Sequence, residues 1–280
     1  MKESEFKALI SLLEDDDLQV SSHVEKKLID MGGDMIPRLE LAWEIEKDEL
    51  IQQRLEDIIH GIQERDVINK FEEWRDAPEK NLLVGWFLLS KYLFPNIKFA
   101  TYSSRINRLV NRIWLEFRRD MTPAEKLMVV NAMLFRVEKF RPGGRQMRTP
   151  GEFLINLLFE KRRGGPFSLA ILYKIICEKL EIPLDVVMLP GYFILRSNEN
   201  DTEFFIDVFQ KGDFFVQKDL ANFLKERRLT EKDTEVVKVV QTEQIIMEMI
   251  KGLIHAYKHQ KDTRRVEALT KLAELLEQGE

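Results

Sequence analysis

The clearest pattern of hydrophobic and polar positions lies between residues 161 and 209. After Gly164-Gly165-Pro166, apolar residues recur at helical spacing: Leu169, Leu172, Tyr173, Ile176 and Leu180. Proline is favoured in the first turn of a helix, so the pattern predicts a helix that begins at Pro166. Runs of β-forming residues follow at 184–189, 192–196 and 203–209. This segment therefore predicts one helix followed by an antiparallel sheet.

The N-terminal half of the chain shows almost only helical periodicity. Its first predicted helices are 7–13, 20–31 and 37–45, separated by Asp15-Asp16-Asp17 and by Gly32-Gly33-Asp34. This pattern resembles one HEAT-type repeat, with a weaker continuation at 49–62. Because about three such repeats are needed for an independent solenoid, we expect a helical cap that packs on the rest of the protein. Further helices are predicted at 64–74, 78–94, 102–117 and 123–135.

Within this helical half, Thr122 stands directly before Pro123 and is a predicted N-cap. The four tryptophans fall at helical positions and are predicted to pack in the core: Trp43, Trp74, Trp86 and Trp114. Beyond the sheet, the pattern predicts a short helix at 220–228, a strand or a connection at 235–240, and amphipathic helices at 242–260 and 263–278. For the last two helices, docking on the core is the favoured interpretation and partner binding is the alternative.

The composition describes a chain that can fold without crosslinks. Its 280 residues are 44% hydrophobic, which is ample for a core. The formal net charge is −5, and no apolar run approaches the roughly 20 residues that span a bilayer. The first residues lack the basic start and the apolar middle of a signal peptide. We therefore expect a cytoplasmic protein that makes no membrane contact.

Cysteine and histidine give little support for redox or metal chemistry. Cys177 is the single cysteine and lies three turns into the helix that begins at Pro166. It is predicted to be a small buried hydrophobe and not a reactive thiol. His255 and His259 have i, i+4 spacing, but no H-E-x-x-H context accompanies them. A solvated pair is favoured over a metal site, and no cofactor is expected.

Three motifs in and after the predicted helix resemble those of a known family. They read Arg163-Gly164-Gly165-Pro166-Phe167-Ser168-Leu169, Leu189-Pro190-Gly191-Tyr192-Phe193 and Phe205-Ile206-Asp207-Val208-Phe209. They are similar to the motifs R-x-G-x-P-x-x-L, P-G-H-F and I-D-P-F of the SirB family of bacterial transglutaminase-like proteins. The resemblance covers residues 82–215. It implies an α+β, mostly α-helical fold with a transglutaminase- or papain-like core, in which a helix precedes a small antiparallel sheet.

Such cores deliver a catalytic triad in the order helix, strand, strand. The helix N-terminus lowers the pKa of a cysteine thiol, a histidine takes its proton, and an aspartate fixes the tautomer of the histidine. Counted back from the turn at 180–182, the resemblance sets Pro166 at the cysteine position, Tyr192 at the histidine position and Asp207 at the aspartate position. Only the aspartate remains, and Val208 replaces the proline that follows it in the family motif.

These replacements argue against the usual chemistry. Proline offers no nucleophile, and a phenol with a pKa of about 10 is a poor general base at neutral pH. We therefore predict a non-catalytic module that uses the former cleft for binding or regulation. The alternative is a hydrolase or acyltransferase in which Ser168 or another, unrecognised group attacks. For Ser168, a bond to free backbone N–H groups of the first helical turn is favoured over a role as nucleophile, and Asp207 has a similar structural interpretation.

A basic stretch precedes the predicted helix. Its members are Arg136, Lys139, Arg141, Arg145, Arg148, Lys161, Arg162 and Arg163. Solvated charge is the favoured interpretation, and an anion site at the loop and the helix N-terminus is the alternative. The predicted ligand-binding residues are Arg162, Arg163, Gly165, Tyr192 and Asp207. The expected partner is a protein or a small anionic ligand and not a nucleic acid, because no nucleic-acid-reading motif is present.

The patterns divide the chain into three predicted domains. Residues 1–78 form the HEAT-like helical region, and residues 79–228 form the transglutaminase-like core. Residues 229–280 form a C-terminal helical hairpin that resembles a tetratricopeptide-like pair in the SirB family. The candidate site is thus predicted to lie in the middle domain.

Overall fold

The structure is a computed structural model that describes residues 2–15, 17–143, 149–199, 202–226 and 238–278. By its internal packing the chain divides into two compact units, Met1–Glu73 and Trp74–Glu280. The three predicted domains, with boundaries at 78 and 228, stay a prediction. The predicted fold class is confirmed: the described chain is mostly helical, with one five-stranded antiparallel sheet.

The first unit is built from helices α1 (Glu3–Ser11), α2 (Leu18–Asp30), α3 (Ile36–Ile45) and most of α4 (Glu49–Asp76). One apolar cluster joins them, with fully buried Leu28, Leu39 and Leu55 at its centre. The predicted helices 49–62 and 64–74 are in fact the single helix α4. Gly61 lies inside this helix without interrupting it. A Cβ there would lie 2.8 Å from Ile29 Cδ1, so glycine at this position lets α4 pack closely on α2.

The second unit begins with three helices and a π-helical turn. Its elements are α5 (Leu82–Leu93), α6 (Phe99–Trp114), α7 (Pro123–Asn131) and the turn Ala132–Val137. The N-cap prediction is confirmed, since Thr122 Oγ1 accepts a hydrogen bond from the Glu125 amide and Glu125 Oε2 accepts one from the Thr122 amide. The bond from the Thr122 amide, together with one that the Thr122 hydroxyl donates to Glu125 Oε2, lowers the pKa of the Glu125 carboxyl. The predicted helix 123–135 is α-helical only as far as Asn131, and the chain continues from Ala132 with π-helical geometry.

The sheet follows the central helix of this unit. The elements are β1 (Arg141–Pro142), α8 (Ile155–Lys161), β2 (Arg163–Gly164), α9 (Pro166–Lys179), β3 (Asp185–Leu189), β4 (Tyr192–Glu199), β5 (Thr202–Asp207) and β6 (Asp213–Val216). Strands β1 and β2 form a short parallel pair. The large sheet has the order β6-β5-β4-β3-β7, where β7 is Lys238–Val240. The helix and the hairpin predicted from the sequence are confirmed, except that Val208 and Phe209 lie in a 3₁₀ turn after β5.

The described residues after β6 include the helices α10 (Leu220–Glu226), α11 (Thr242–Gln260) and α12 (Thr263–Glu277). The predicted segments 227–228 and 235–237 lie outside the described residues. Helices α11 and α12 pack against each other, and α11 also packs on α5. Two glycines let α11 pack closely on its neighbours: a Cβ at Gly85 in α5 would lie 3.1 Å from Ile246, and one at Gly252 in α11 would lie 2.3 Å from Phe153, which precedes α8. Among the described helices, none has the length and apolar character that crossing a bilayer requires.

The tryptophan prediction is correct for two residues and wrong for two. Trp74 and Trp86 are buried, and the Trp86 indole donates a 2.7 Å hydrogen bond to the Phe153 carbonyl. Trp43 is 36% exposed, and Trp114, at the end of α6, is 64% exposed. Helical spacing places a residue on a face, but it does not tell whether another element covers that face.

Candidate functional site

Tyr192 and Asp207 meet at one end of the sheet. Tyr192 is the first residue of β4 and Asp207 is the last residue of β5. Because these strands pair antiparallel, with Leu195 opposite Ile206, the start of one lies beside the end of the other. The Tyr192 hydroxyl donates a 2.7 Å hydrogen bond to Asp207 Oδ1. The structure thus joins two residues that the sequence predicts at the histidine and aspartate positions of a triad.

The surroundings of this pair fix the role of each group. Asp207 is only 1% exposed, and its Oδ1 also accepts a 3.2 Å hydrogen bond from the Gln210 amide, which caps the turn Val208–Gln210. The ring of Tyr192 is half-buried and packs edge-on against Phe209, with centroids 5.9 Å apart. The phenol is therefore a hydrogen-bond donor in this site. The oxygen lone pairs of a neutral phenol are far too weakly basic to take a proton from a nucleophile near pH 7.

The amino end of helix α9 is packed and not open. Gly165 is its N-cap, Pro166 is its first residue, and both are buried. The Gly165 amide donates a 3.1 Å hydrogen bond to the carbonyl oxygen of Glu152. A Cβ at Gly165 would lie 2.8 Å from that oxygen and 2.9 Å from Glu152 Cβ. Glycine is therefore required where the chain before Ile155 crosses the start of α9.

Helix α9 and strand β4 meet next to the predicted triad positions. Phe167 follows Pro166, and Phe193 follows Tyr192. Their rings pack edge to face with centroids only 4.4 Å apart. On its other side Phe167 stacks on Phe153, with centroids 5.7 Å apart and planes 25° from parallel. The helix start and the Tyr192–Asp207 pair thus belong to one region of the core.

Ser168 lies in this region but makes a different bond from the predicted one. Its side chain is fully buried, and its hydroxyl donates a 3.5 Å hydrogen bond to the Gly165 carbonyl instead of accepting one from a backbone amide. A Cβ at Gly164 would lie 2.6 Å from Ser168 Oγ, so the chain before α9 covers this hydroxyl closely. A hydroxyl so enclosed is poorly placed to attack a substrate.

Cys177 lies in the core, and the pair His255 and His259 lies on the surface. Cys177 is fully buried, as predicted, and burial raises the pKa of its thiol far above the ordinary value. The rings of His255 and His259 are exposed and touch edge to face at 5.8 Å. Within the ranges that the structure describes, no three side chains of the metal-binding types cluster together.

The basic stretch divides into residues with different surroundings. Arg162 has a left-handed backbone (φ 51°), forms a 3.1 Å ion pair with Glu138 and lies over the Phe140 ring at 4.7 Å. Arg112 also pairs with Glu138. Arg141 and Arg163 face each other across the β1–β2 pair and are exposed. Arg145 and Arg148 lie outside the described residues.

The sequence did not point to two residues that shape the site. Glu152 is 8% exposed, and its backbone carbonyl accepts the Gly165 hydrogen bond that closes the start of α9. Asn131 donates a 2.9 Å hydrogen bond from Nδ2 to the carbonyl of Gly212, in the turn that follows Asp207. The adjacent glycines Gly164 and Gly165 indicate that another part of the backbone approaches closely there, but they do not tell that this part is Glu152. No comparable signal marked Asn131.

Comparisons with known proteins agree with this geometry. Residues 100–251, more than half of the chain, match the model of the transglutaminase-like superfamily. Over 125 residues the chain is 27% identical to a UPF0162 protein of Xylella fastidiosa strain Temecula1 and to one of strain 9a5c. The alignment covers 45% of this chain and 44% of each relative, so the chain spans less than half the length of the curated relatives it matches. No solved structure matches it.

Proposed function

Because the chain belongs to the transglutaminase-like superfamily, we propose that it is a non-catalytic member that uses the former catalytic cleft for binding or regulation. Within the superfamily we assign it to the SirB family, on the three motifs around Pro166, Tyr192 and Asp207. The observation that carries the proposal is the 2.7 Å hydrogen bond from Tyr192 to Asp207. In an active triad this carboxyl group would orient a catalytic histidine. Here it accepts a hydrogen bond from a phenol, which cannot act as a base near pH 7.

The packing at the start of α9 supports the same proposal. Enzymes of this architecture need a nucleophile at that helix end, where free N–H groups stabilise its anionic form. Here Pro166 has no side-chain nucleophile and no N–H group, and the preceding amide is bonded to Glu152. The remaining polar groups serve the fold. We propose that half-buried Tyr192 and Arg162, with exposed Arg163, contact a protein or a small anionic ligand, and that buried Gly165 and Asp207 hold this surface in place.

The test is a search for turnover and for covalent labelling. Purified protein is incubated with a glutamine-containing peptide and an amine, and separately with p-nitrophenyl acetate and a fluorophosphonate probe. The proposal predicts no ammonia release, no ester hydrolysis above the heat-denatured protein, and no probe at Ser168. Turnover in any of these assays that disappears in Ser168→Ala would establish the alternative, a hydrolase or acyltransferase with a serine nucleophile.

A second candidate function, anion binding, is favoured by Arg141 and Arg163. Their positions face each other in the register of the β1–β2 pair, and both residues are exposed. Two neighbouring guanidinium groups can bind one phosphate or carboxylate. Inorganic phosphate and polyphosphate should then raise the Tm, and Arg141→Ala combined with Arg163→Ala should abolish the rise. Arg118→Ala combined with Arg119→Ala, which changes two exposed adjacent arginines elsewhere, is the matched control. An equal rise in both double variants would contradict anion binding here.

A further inference from the structure

A cleft of about 710 Å³ lies beside the turn that follows Asp207. One wall is the end of α7 with the π-helical turn Ala132–Val137, and the other is the turn 211–214 between β5 and β6. The volume falls within the range of roughly 300–1,000 Å³ that is usual for small-molecule sites. Single π-helical turns within helices also occur frequently at functional sites. The sequence motifs and the triad positions do not include this cleft.

The two walls are held together by specific contacts. Asn131 at the end of α7 donates its 2.9 Å hydrogen bond to the Gly212 carbonyl. Lys211 and Gly212 have positive φ angles of 61° and 83°, which turn the chain sharply back into β6. The Gly212 amide donates a 2.9 Å hydrogen bond to the Asp207 carbonyl, so the turn is closed on itself. The cleft is therefore a built feature with defined walls.

The side chains that line the cleft combine apolar surface with positive charge. Met128 is 58% exposed and Phe214 is 37% exposed, and both line the cleft together with half-buried Phe135. Arg136 and Lys211 also line it, and within the described part of the chain neither forms an ion pair. Asp213 supplies one negative charge. Exposed apolar side chains grouped beside unpaired cations are typical of a binding surface.

We propose that this cleft binds a small amphipathic monoanion, in which a carboxylate is attached to an aromatic or bulky apolar group. The apolar part packs between Met128, Phe135 and Phe214. The carboxylate binds the Arg136 guanidinium, whose planar fork matches it, and the Lys211 ammonium. Asp213 disfavours a polyanion, because two cations and one carboxylate leave a single net positive charge. This proposal goes beyond the loss of catalysis, since either an enzyme or a binding module could carry the site.

The experiment compares three probes by isothermal titration calorimetry on the full chain. Naphthalene-2-carboxylate has the charge and the aromatic body, naphthalene-2-methanol has the body alone, and inorganic phosphate has charge alone. The proposal predicts saturable binding of the carboxylate, at least about tenfold weaker binding of the alcohol, and no phosphate binding that depends on Arg136 and Lys211. A tenfold difference corresponds to about 1.4 kcal/mol, which a charge-assisted hydrogen bond readily supplies.

Variants then locate the binding. Arg136→Gln combined with Lys211→Gln should weaken the carboxylate at least about tenfold and leave the alcohol unchanged. Arg119→Gln combined with Lys179→Gln, which removes two exposed cations away from the cleft, should change neither affinity. Thermal unfolding verifies that each variant is folded. Absence of saturable carboxylate binding, equal affinity for carboxylate and alcohol, phosphate binding at the same cations, or equal loss in both double variants would each overturn the proposal.

Discussion

At the scale of single residues, Tyr192 supplies a hydrogen bond that nearly buried Asp207 needs. A nearly buried carboxyl group needs hydrogen-bond donors, whichever residue supplies them. A histidine at the start of β4 would donate one hydrogen bond and keep its second nitrogen for chemistry. The Tyr192 phenol satisfies Asp207 at 2.7 Å, but a neutral phenol is too weak a base to take a proton from a nucleophile near pH 7. The fold's requirement for a donor is thus met without the reactive group.

Tyr192→Phe tests this structural role. Removal of the hydroxyl takes a close donor from buried Asp207, so the free energy of unfolding in urea should fall by about 1–3 kcal/mol. Tyr92→Phe is the matched control, because the Tyr92 hydroxyl donates a 3.2 Å bond to the neutral carbonyl of Ala268. That change should cost about 0.5–1.5 kcal/mol. A smaller loss for Tyr192→Phe than for Tyr92→Phe would count against a stabilising pair.

Cys177 leads to a prediction about alkaline pH. Burial raises the pKa of its thiol, whereas an unfolded cysteine ionises with a pKa of about 8.5. A folded pKa above the unfolded one means that this contribution to stability is complete below about pH 8.5 and is lost as the pH rises toward the folded pKa. Between pH 7 and pH 10, wild type should lose about 2 kcal/mol more unfolding free energy than Cys177→Ala. Parallel pH curves for the two proteins would contradict this assignment.

At the scale of elements, short turns and close contacts position the site. The 3₁₀ turn Val208–Gln210 is capped by Asp207, and the next two residues carry the positive φ angles that start β6. Gly212 is essential in two ways. Its φ of 83° is strained for other residues, and a Cβ there would lie 2.0 Å from Asn131 Oδ1. The turn and the end of α7 therefore depend on each other.

A double-mutant cycle separates these two requirements. Gly212→Ala alone forces Asn131 away and breaks its hydrogen bond, in addition to the backbone strain, so we expect a loss of about 2–3 kcal/mol in unfolding free energy. In an Asn131→Ala background the clash and the bond are already absent. There the same change should cost only about 1–2 kcal/mol, which is the strain of the left-handed backbone. Equal costs in the two backgrounds would show that Asn131 does not brace the turn.

The sequence predicted the elements whose signals are local. Helix α9, the hairpin of β3 and β4, and the Thr122 cap depend on proline placement, β-forming runs and a three-residue spacing, which act over a few positions. The continuity of α4 through Gly61 and the π-helical turn depend on tertiary packing, which periodicity does not report. The meeting of Tyr192 with Asp207 followed from the order of motifs. The roles of Glu152 and Asn131 did not, because single contacts between distant segments leave no pattern.

At the scale of the whole molecule, the second unit keeps the arrangement of a transglutaminase-like core around α9. Helix α9 is buried along nearly its whole length, and β4 packs on it through Phe167 and Phe193. Such a core is stabilised by apolar burial, which the loss of a thiol or an imidazole at its edge hardly changes. Retention of the fold and retention of catalysis are therefore separate properties. We propose that this protein has retained the first and lost the second.

The most direct measurement asks whether a working triad can be built at the three proposed positions. Pro166→Cys introduces a thiol, and Cys177→Ala removes the natural one. The introduced thiol is titrated by its thiolate absorbance at 240 nm, with and without Tyr192→His. If α9, β4 and β5 retain the catalytic geometry, the imidazole held by Asp207 should lower the pKa of that thiol from about 8.5 or above to below about 7. Asp207→Asn should weaken this effect. An unchanged thiol pKa when histidine is added would contradict the account.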